Sequence, residues 1–195
     1  MKFSVDQIAA AVTGRMPFTE PLFKTLAIAL DGEGVTRPAW SPADRYATSI
    51  VSDTEGVLGL EVAHDLAGNV YGTLPGRDRT APALLTGSHL DSVPAGGHFD
   101  GLAGFVAGLV AQAALGDIDC MPNCDIVSMG IRGEESIWFG IPFIGSRLAL
   151  GTLPHNMLDS LRRGDTGRTL GEHMADVGVD VAALRSEGTP VITNA

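Results

Sequence analysis

Four ionisable side chains lie within the glycine-rich stretch Gly87–Gly104, which reads GSHLDSVPAGGHFDGLAG. They are His89, Asp91, His98 and Asp100. In an extended segment residues i and i+2 point to the same side, so Asp91 can accept a hydrogen bond from one nitrogen of His89 and leave the other nitrogen free for a metal ion. Asp100 precedes the expected start of a helix, whose positive end favours the ionised carboxylate. The pattern predicts a metal site; the alternative is a capping aspartate beside a hydrogen-bonded core histidine.

A second acidic group consists of Glu134 and Glu135, in the segment Arg132-Gly-Glu-Glu-Ser136. It directly follows an apolar run that predicts a strand. Two adjacent carboxylates at the end of a buried strand repel each other unless a cation or a proton neutralises them. One glutamate that binds a metal and one that acts as general base would remove this conflict. The alternative interpretation is an acidic pair at the N-terminus of a surface helix.

Together these motifs resemble a known family. The segments HLDSVPAGGHFDG, RGEESIWFG and IGSRLALG, with GVTRPAWS at Gly34–Ser41, are similar to the hydantoinase/carbamoylase amidase branch of the M20-type metallopeptidase superfamily. That branch includes N-carbamoyl-L-amino-acid hydrolases and allantoate amidohydrolases. The similarity extends over most of the chain up to Gly151, and Ser92 stands where threonine is commoner in the family.

The resemblance implies a role for each of these residues. His89 binds one metal ion, Asp100 bridges two ions, and Glu135 binds the second. Glu134 is the general base, and Asp91 supports His89 as the other residue assigned to catalysis. The complete site would hold two divalent ions (zinc, manganese, cobalt or nickel) about 3.5–4 Å apart. The substrate-binding residues are not assigned.

The activity implied is metal-dependent hydrolysis of a linear amide or ureido C–N bond, as in an N-carbamoyl-L-amino acid or allantoate. One alternative is an M20-type aminopeptidase or aminoacylase. The GVTRPAWS segment and the EES form of the acidic pair favour the carbamoylase branch over it. A third hypothesis is a truncated, inactive fragment that persists as a partner-binding domain.

The predicted elements place both motifs at the ends of strands. Residues 81–86 predict a buried strand, 101–115 a largely buried helix and 124–131 a second strand. Helices are also predicted at 4–13, 19–30, 41–58, 146–150 and 155–162, with one or two more in 169–185 and a strand pair at 60–65 and 70–74. This order predicts an α/β domain with a mixed sheet in which His89 and Glu134 meet at the carboxyl edge. By resemblance it is a three-layer α/β/α, zinc-peptidase-like (phosphorylase/hydrolase-like) catalytic domain, incomplete here.

Two further histidine ligands of the family pattern, one in a His-x-Glu-Gln-Gly motif, are absent from the 195 residues. The smaller lid domain, which mediates dimerisation and supplies residues that hold the substrate, is also absent. We therefore expect residues 1–195 to be the N-terminal part of the catalytic domain. We expect this chain alone to be inactive and to bind metal poorly, and a homodimer to form only in the full-length protein.

The composition of the chain limits the classes of partner that we expect it to bind. Twenty-three acidic and 13 basic residues give a net charge of −10, which argues against nucleic acid and anionic membranes and leaves a small-molecule substrate. No apolar run reaches the length of a membrane span, and the N-terminus lacks a signal-peptide core. Cys120 and Cys124 are too few for a disulfide framework, so a cytoplasmic location is predicted. His64, His155 and His173 are interpreted as surface residues.

Overall fold

A four-stranded mixed sheet with helices on one face forms the centre of the computed structural model, which describes residues 3–27, 30–32, 34–187 and 192. The helices are α1 Val5–Arg15, α2 Thr19–Leu26, α3 Pro42–Val57, α4 Leu102–Asp117, α5 Ser136–Phe139, α6 Ile144–Ala149, α7 Met157–Ser160, α8 Leu170–Asp176 and α9 Val181–Glu187. The strands are β1 Leu30–Asp31, β2 Gly34–Val35, β3 Glu61–His64, β4 Val70–Leu74, β5 Leu84–His89 and β6 Ile126–Ile131.

The topology of the sheet brings the two motif-bearing strands together. The strand order is β3-β4-β6-β5, with β5 parallel to β6 and the other two pairings antiparallel. His89 lies opposite Ile131 in the β5–β6 register. Because parallel neighbours end at the same edge of a sheet, the segment after β6 begins beside His89. The expected adjacency of the two strand ends is confirmed.

Helices α3 and α4 cover one face of this sheet. Val51 of α3, Val70 of β4, and Phe105 and Leu109 of α4 are fully buried in one hydrophobic cluster. The start of α3 follows from its sequence, because Ser41 accepts the N–H of Asp44 as an N-cap. Each buried aliphatic or aromatic side chain contributes about 1.5–3 kcal/mol by leaving water, so the helix–sheet contact fixes the positions of β5 and β6.

The opposite face of the sheet is less covered. Leu85, Val127 and Met129 alternate with the residues that face α3 and α4, and all three are only partly buried. This face is therefore partly exposed in the described residues. A second cluster of buried residues, which includes Trp138 and Phe139, packs α5 to α8 together. Both aromatic side chains therefore belong to a core.

Several predicted boundaries are wrong. Strand β5 begins at Leu84 instead of Ala81 and continues to His89, since its pairing with β6 extends to Ile131. It is an edge strand and only half-buried, because no strand within the described residues flanks its outer side. Helix α2 ends at Leu26, and Leu30 lies in β1; residues 28 and 29 are outside the described part. The helix predicted at 155–162 is the four-residue α7.

The position of His173 differs from its interpretation as a surface residue. His173 is 4% exposed and lies 2.8 Å from the hydroxyl of Thr166, so it is a buried, hydrogen-bonded residue instead of a surface one. Burial and the charge of Arg163 lower the pKa of His173. His64 and His155 are exposed, as predicted. No helix in the described part of the chain is long and apolar enough to cross a membrane.

Candidate metal centre

Three predicted metal ligands converge at the carboxyl edge of the sheet. His89 is the last residue of β5, Asp100 lies just before α4, and Glu135 lies at the N-terminus of α5. One ligand atom from each falls within 4.8 Å of the others. Nε2 of His89 is 3.8 Å from Oδ1 of Asp100 and 3.7 Å from Oε1 of Glu135. A nitrogen and two carboxylates therefore face one small volume.

The hydrogen bond at the back of His89 orients the imidazole toward this volume. Nδ1 lies 2.8 Å from the carbonyl oxygen of Asp91. A carbonyl oxygen can only accept, so Nδ1 carries the proton and Nε2 keeps a free lone pair. The predicted bond to the carboxylate of Asp91 is not formed, since Oδ1 is 3.7 Å from Nδ1. Asp91 thus supports His89 through its main chain.

The carboxylate of Asp91 instead holds the acidic loop. Its two oxygens accept the backbone N–H groups of Glu134 and Glu135, at 3.0 and 3.1 Å. Burial raises the pKa of Asp91, and so does the charge of Asp44, while the two N–H donors lower it. Asp91 therefore connects the end of β5 to the segment after β6, and this explains why the carboxylate does not turn toward His89.

Glu134 has a separate environment from its neighbour. Its two carboxylate oxygens accept the backbone N–H of Ser146 at 2.8 Å and the Ser146 hydroxyl at 2.9 Å. Burial raises the pKa of Glu134, and the hydrogen bonds from Ser146 oppose that rise. Glu134 is outside the set of converging ligand atoms. The two glutamates, adjacent in sequence, thus present different chemistry.

Asp100 reaches the site through a sharp turn at Gly101. The backbone of Gly101 has φ 67°, and a Cβ built there would lie 2.4 Å from the carbonyl oxygen of His89. Any other residue would collide with the strand end, so the turn requires glycine. Oδ2 of Asp100 accepts the N–H of Val93 at 3.3 Å, which leaves Oδ1 toward His89.

Comparison with known proteins shows which family this chain is related to. The chain is 36% identical over 160 residues to an N-carbamoyl-L-amino acid amidohydrolase of Geobacillus stearothermophilus, covering 80% of this chain and 39% of that protein. It is 33% identical over 118 residues to a ureidoglycolate hydrolase of Arabidopsis thaliana, covering 60% and 25%. A hydantoinase/carbamoylase family amidase from Burkholderia ambifaria superposes with a TM-score of 0.76 at 27% identity, covering 86% and 41%. The chain is homologous to the hydantoinase/carbamoylase amidases.

The homology confirms the predicted α/β class and the family resemblance. It extends over only part of the length of each relative. The chain spans about two fifths of the length of the Geobacillus relative and of the Burkholderia structure. No family model matches the chain.

The three converging residues fit a divalent metal ion, as the family resemblance implies. Neutral imidazole nitrogen and carboxylate oxygen are ligands of zinc and of manganese. Unless a cation or a proton lies between them and Nε2 of His89, the carboxylates of Asp100 and Glu135 repel each other. The side chains are 19–29% exposed, so an ion can reach them from solvent. His98, the other histidine of the motif, is exposed and outside the set.

Two residues that support the site were missed in the sequence. Arg37 is 1% exposed; Nε donates to the carbonyl of Leu90 and Nη1 to that of Leu26, so it ties the β5 end to α2. Ser146 lies 12 residues beyond Glu134, on α6. Both stand inside the segments that carried the family resemblance, GVTRPAWS and IGSRLALG, which is the signal that could have directed attention to them.

Proposed function

We propose that this chain is part of a metal-dependent amidohydrolase that cleaves a linear amide or ureido C–N bond. The observation that carries the proposal is the convergence of His89, Asp100 and Glu135 beside a separately held Glu134, in a chain homologous to the hydantoinase/carbamoylase amidases. The names of the relatives, an N-carbamoyl-L-amino acid amidohydrolase and a ureidoglycolate hydrolase, support a ureido or carbamoyl compound as substrate.

The proposed ligands are Nε2 of His89 and carboxylate oxygens of Asp100 and Glu135. Their short separations and mixed nitrogen and oxygen character support a divalent ion. We propose two ions in the complete site, with zinc, manganese, cobalt and nickel as candidates. When bound, such ions supply Lewis acidity and lower the pKa of water from 15.7 to about 7. Three side chains are few for two ions, so further ligands must complete the site.

Glu134 is the proposed general base. Ser146 holds both of its oxygens, so the carboxylate has a fixed position next to the ligand set. From there it takes a proton from the attacking water and later delivers it to the leaving nitrogen. Its burial-raised pKa suits a group that must both accept and return a proton.

Asp91 has a positioning role in this scheme. It holds His89 through its carbonyl oxygen and the two glutamates through its carboxylate.

We propose in addition that residues 1–195 form the N-terminal part of the catalytic domain, and that the full-length protein is a cytoplasmic homodimer. We also propose that neither nucleic acid nor membrane is a partner. Acidic composition supports the last point.

The test combines metal binding with substrate selection. Cobalt(II) titrated into a longer natural protein that contains this sequence should give a visible absorption band. The band should be lost in His89→Ala and retained in His98→Ala, a control that removes an exposed histidine two residues from Asp100. A longer natural protein that contains this sequence should hydrolyse N-carbamoyl-L-amino acids, allantoate or ureidoglycolate in preference to dipeptides and N-acyl amino acids.

Two results would overturn the proposal. Equal loss of the cobalt band in His89→Ala and His98→Ala would show that His89 is not a specific ligand, and the proposed metal site would be rejected. Preference for dipeptides or N-acyl amino acids would reassign the substrate to the aminopeptidase or aminoacylase class while keeping the metal.

A further inference from the structure

A polar cleft of about 430 Å³ lies between α3, the end of β3 and the turn between α8 and α9. Its lining includes Arg45, Thr48, Ser52, His64, Arg132 and Val179. We call it the Arg132 cleft. His89, Asp100 and Glu135 do not line it, so it is separate from the candidate metal centre. Its volume is in the range of small-molecule sites.

The guanidinium of Arg132 is held rigidly at the base of this cleft. The residue is 3% exposed, and Nε donates to Oδ2 of Asp44 at 2.8 Å. Nη2 lies 2.7 Å from the same oxygen in an ion pair, at an angle unsuited to a hydrogen bond. The group also lies 5.9 Å from the ring of Trp40. Nε and Nη2 thus both lie against Asp44, and the guanidinium has little freedom to turn.

The other nitrogen, Nη1, has no hydrogen-bond acceptor within the described ranges. Nη2 is shielded from solvent, so Nη1 is the part of Arg132 that faces the cleft. Gly68 makes room for it, because a Cβ at Gly68 would lie 2.6 Å from Nη1. The buried nitrogen that lacks a hydrogen bond is Nη2, whereas Nη1 is open to the cleft. A carboxylate in the cleft could therefore accept a charge-assisted hydrogen bond from Nη1.

The cleft is lined by two arginines, Arg45 and Arg132, and by three aspartates, Asp53, Asp65 and Asp180. Arg45 is exposed and forms no ion pair with a described residue. Asp65 is engaged on both oxygens, by two backbone N–H groups, the amide of Asn69 and the hydroxyl of Tyr71. Asp180 accepts the N–H of Ala183. The carboxyl groups of Asp53 and Asp180 also line the cleft, which disfavours a highly charged anion.

We propose that the Arg132 cleft binds a small organic acid, with its carboxylate on Nη1 of Arg132 and near Arg45. The hydroxyls of Thr48 and Ser52 and the ring of His64 line the rest of the cleft and suit a polar body.

The experiment is an amide NMR titration of the ¹⁵N-labelled chain at constant ionic strength. Sodium acetate is the probe, acetamide is a neutral control of the same size, and inorganic phosphate tests for a different anion. Acetate should give saturable shifts at Gly68, Arg132, Gly178 and Val179 that acetamide does not give. Arg45→Ala should weaken acetate binding about threefold to tenfold, whereas Arg77→Ala, which removes an equal charge outside the cleft, should not.

A second variant tests the cleft without removing a charge. Ser49→Phe, at an exposed lining position of α3, should occupy the space and abolish the acetate shifts. Four results would overturn the proposal: no saturable shift up to about 100 mM acetate, equal shifts with acetamide, binding of phosphate alone, or equal weakening by Arg45→Ala and Arg77→Ala.

Discussion

At the residue scale, the local partners of neighbouring side chains separate their chemistry. Glu134 is held by Ser146 on both oxygens, whereas Glu135 reaches the ligand set with His89 and Asp100. The backbone N–H groups of both glutamates donate hydrogen bonds to the carboxylate of Asp91. A single buried carboxylate therefore sets the direction in which two acidic side chains leave the main chain.

The first prediction concerns these two glutamates. In the catalytically complete protein, Glu135→Gln should weaken manganese binding at least about tenfold, because it removes a charged ligand. Glu134→Gln should leave manganese affinity within about threefold but lower turnover of the catalytically complete protein by about 10²–10⁴-fold, because it removes the base. Titration calorimetry and steady-state kinetics measure the two effects. If Glu134→Gln released the metal and Glu135→Gln retained it, the two roles would be reversed.

At the element scale, the connection between β5 and α4 places two ligands near each other. His89 ends the strand and Asp100 precedes the helix, and the chain returns across the strand end at Gly101. Because α4 is buried along most of its length, the turn cannot relax by moving the helix.

The second prediction concerns that turn. Gly101→Ala should lower the free energy of unfolding by about 1–3 kcal/mol, because alanine is strained at φ 67° and its Cβ would meet His89. In the catalytically complete protein it should also weaken manganese binding, since His89 must shift. Urea unfolding and calorimetry measure both. Gly116→Ala, in the same helix with open space around it, is the control and should be neutral or stabilising. An equal effect of the two substitutions would contradict the role of the turn.

The third prediction concerns the cap of α8. Thr169 and Glu172 form a reciprocal capping box at the N-terminus of this seven-residue helix. Thr169→Ala should cost about 1 kcal/mol of unfolding free energy by leaving an N–H unsatisfied. Thr169→Ser keeps the hydroxyl and should cost less. Thermal unfolding of both variants measures the difference, and identical melting temperatures would show that the cap does not limit stability.

At the scale of the whole molecule, a buried carboxylic acid lies between α3 and the sheet. Glu55 is fully buried. One oxygen accepts the hydroxyl of Ser128 at 2.8 Å, and the other has no hydrogen-bond partner among the residues that the structure describes. Burial raises the pKa of Glu55 to about 7, against the opposing effect of Ser128. The main core therefore contains an acid that is neutral in mildly acidic solution.

The fourth prediction follows from the sign of that shift. Between pH 4.5 and about 7 the folded chain binds the Glu55 proton more strongly than the unfolded chain does. The protonated carboxyl of Glu55 therefore contributes its full stability below pH 4.5, and this contribution is lost as the pH rises through 7. Glu55→Gln should become more stable relative to the unmodified chain over this range, by roughly 3 kcal/mol at most. Urea unfolding at several pH values measures it, with the exposed Glu20→Gln as control. Parallel curves for Glu55→Gln and the unmodified chain would contradict the buried acid.

The amino-acid sequence by itself determined the α/β class, the main helices and strands and the set of candidate ligands. Apolar runs, an N-cap at Ser41 and the position of Asp100 before a helix are local features, and local periodicity and capping specify them. The motifs also carried enough of the family pattern to predict the relationship that the comparisons confirm.

Only the tertiary structure decided how these residues meet. The parallel register of β5 with β6 places Glu135 beside His89, although 46 positions separate them in the chain, and no local pattern specifies that register. The carboxylate of Asp91 faces the acidic loop instead of His89 because two backbone N–H groups are there to receive it. Ser146, Arg37 and Arg132 contribute through contacts distant in sequence, and a free guanidinium nitrogen becomes visible only when the residues around it are placed in space.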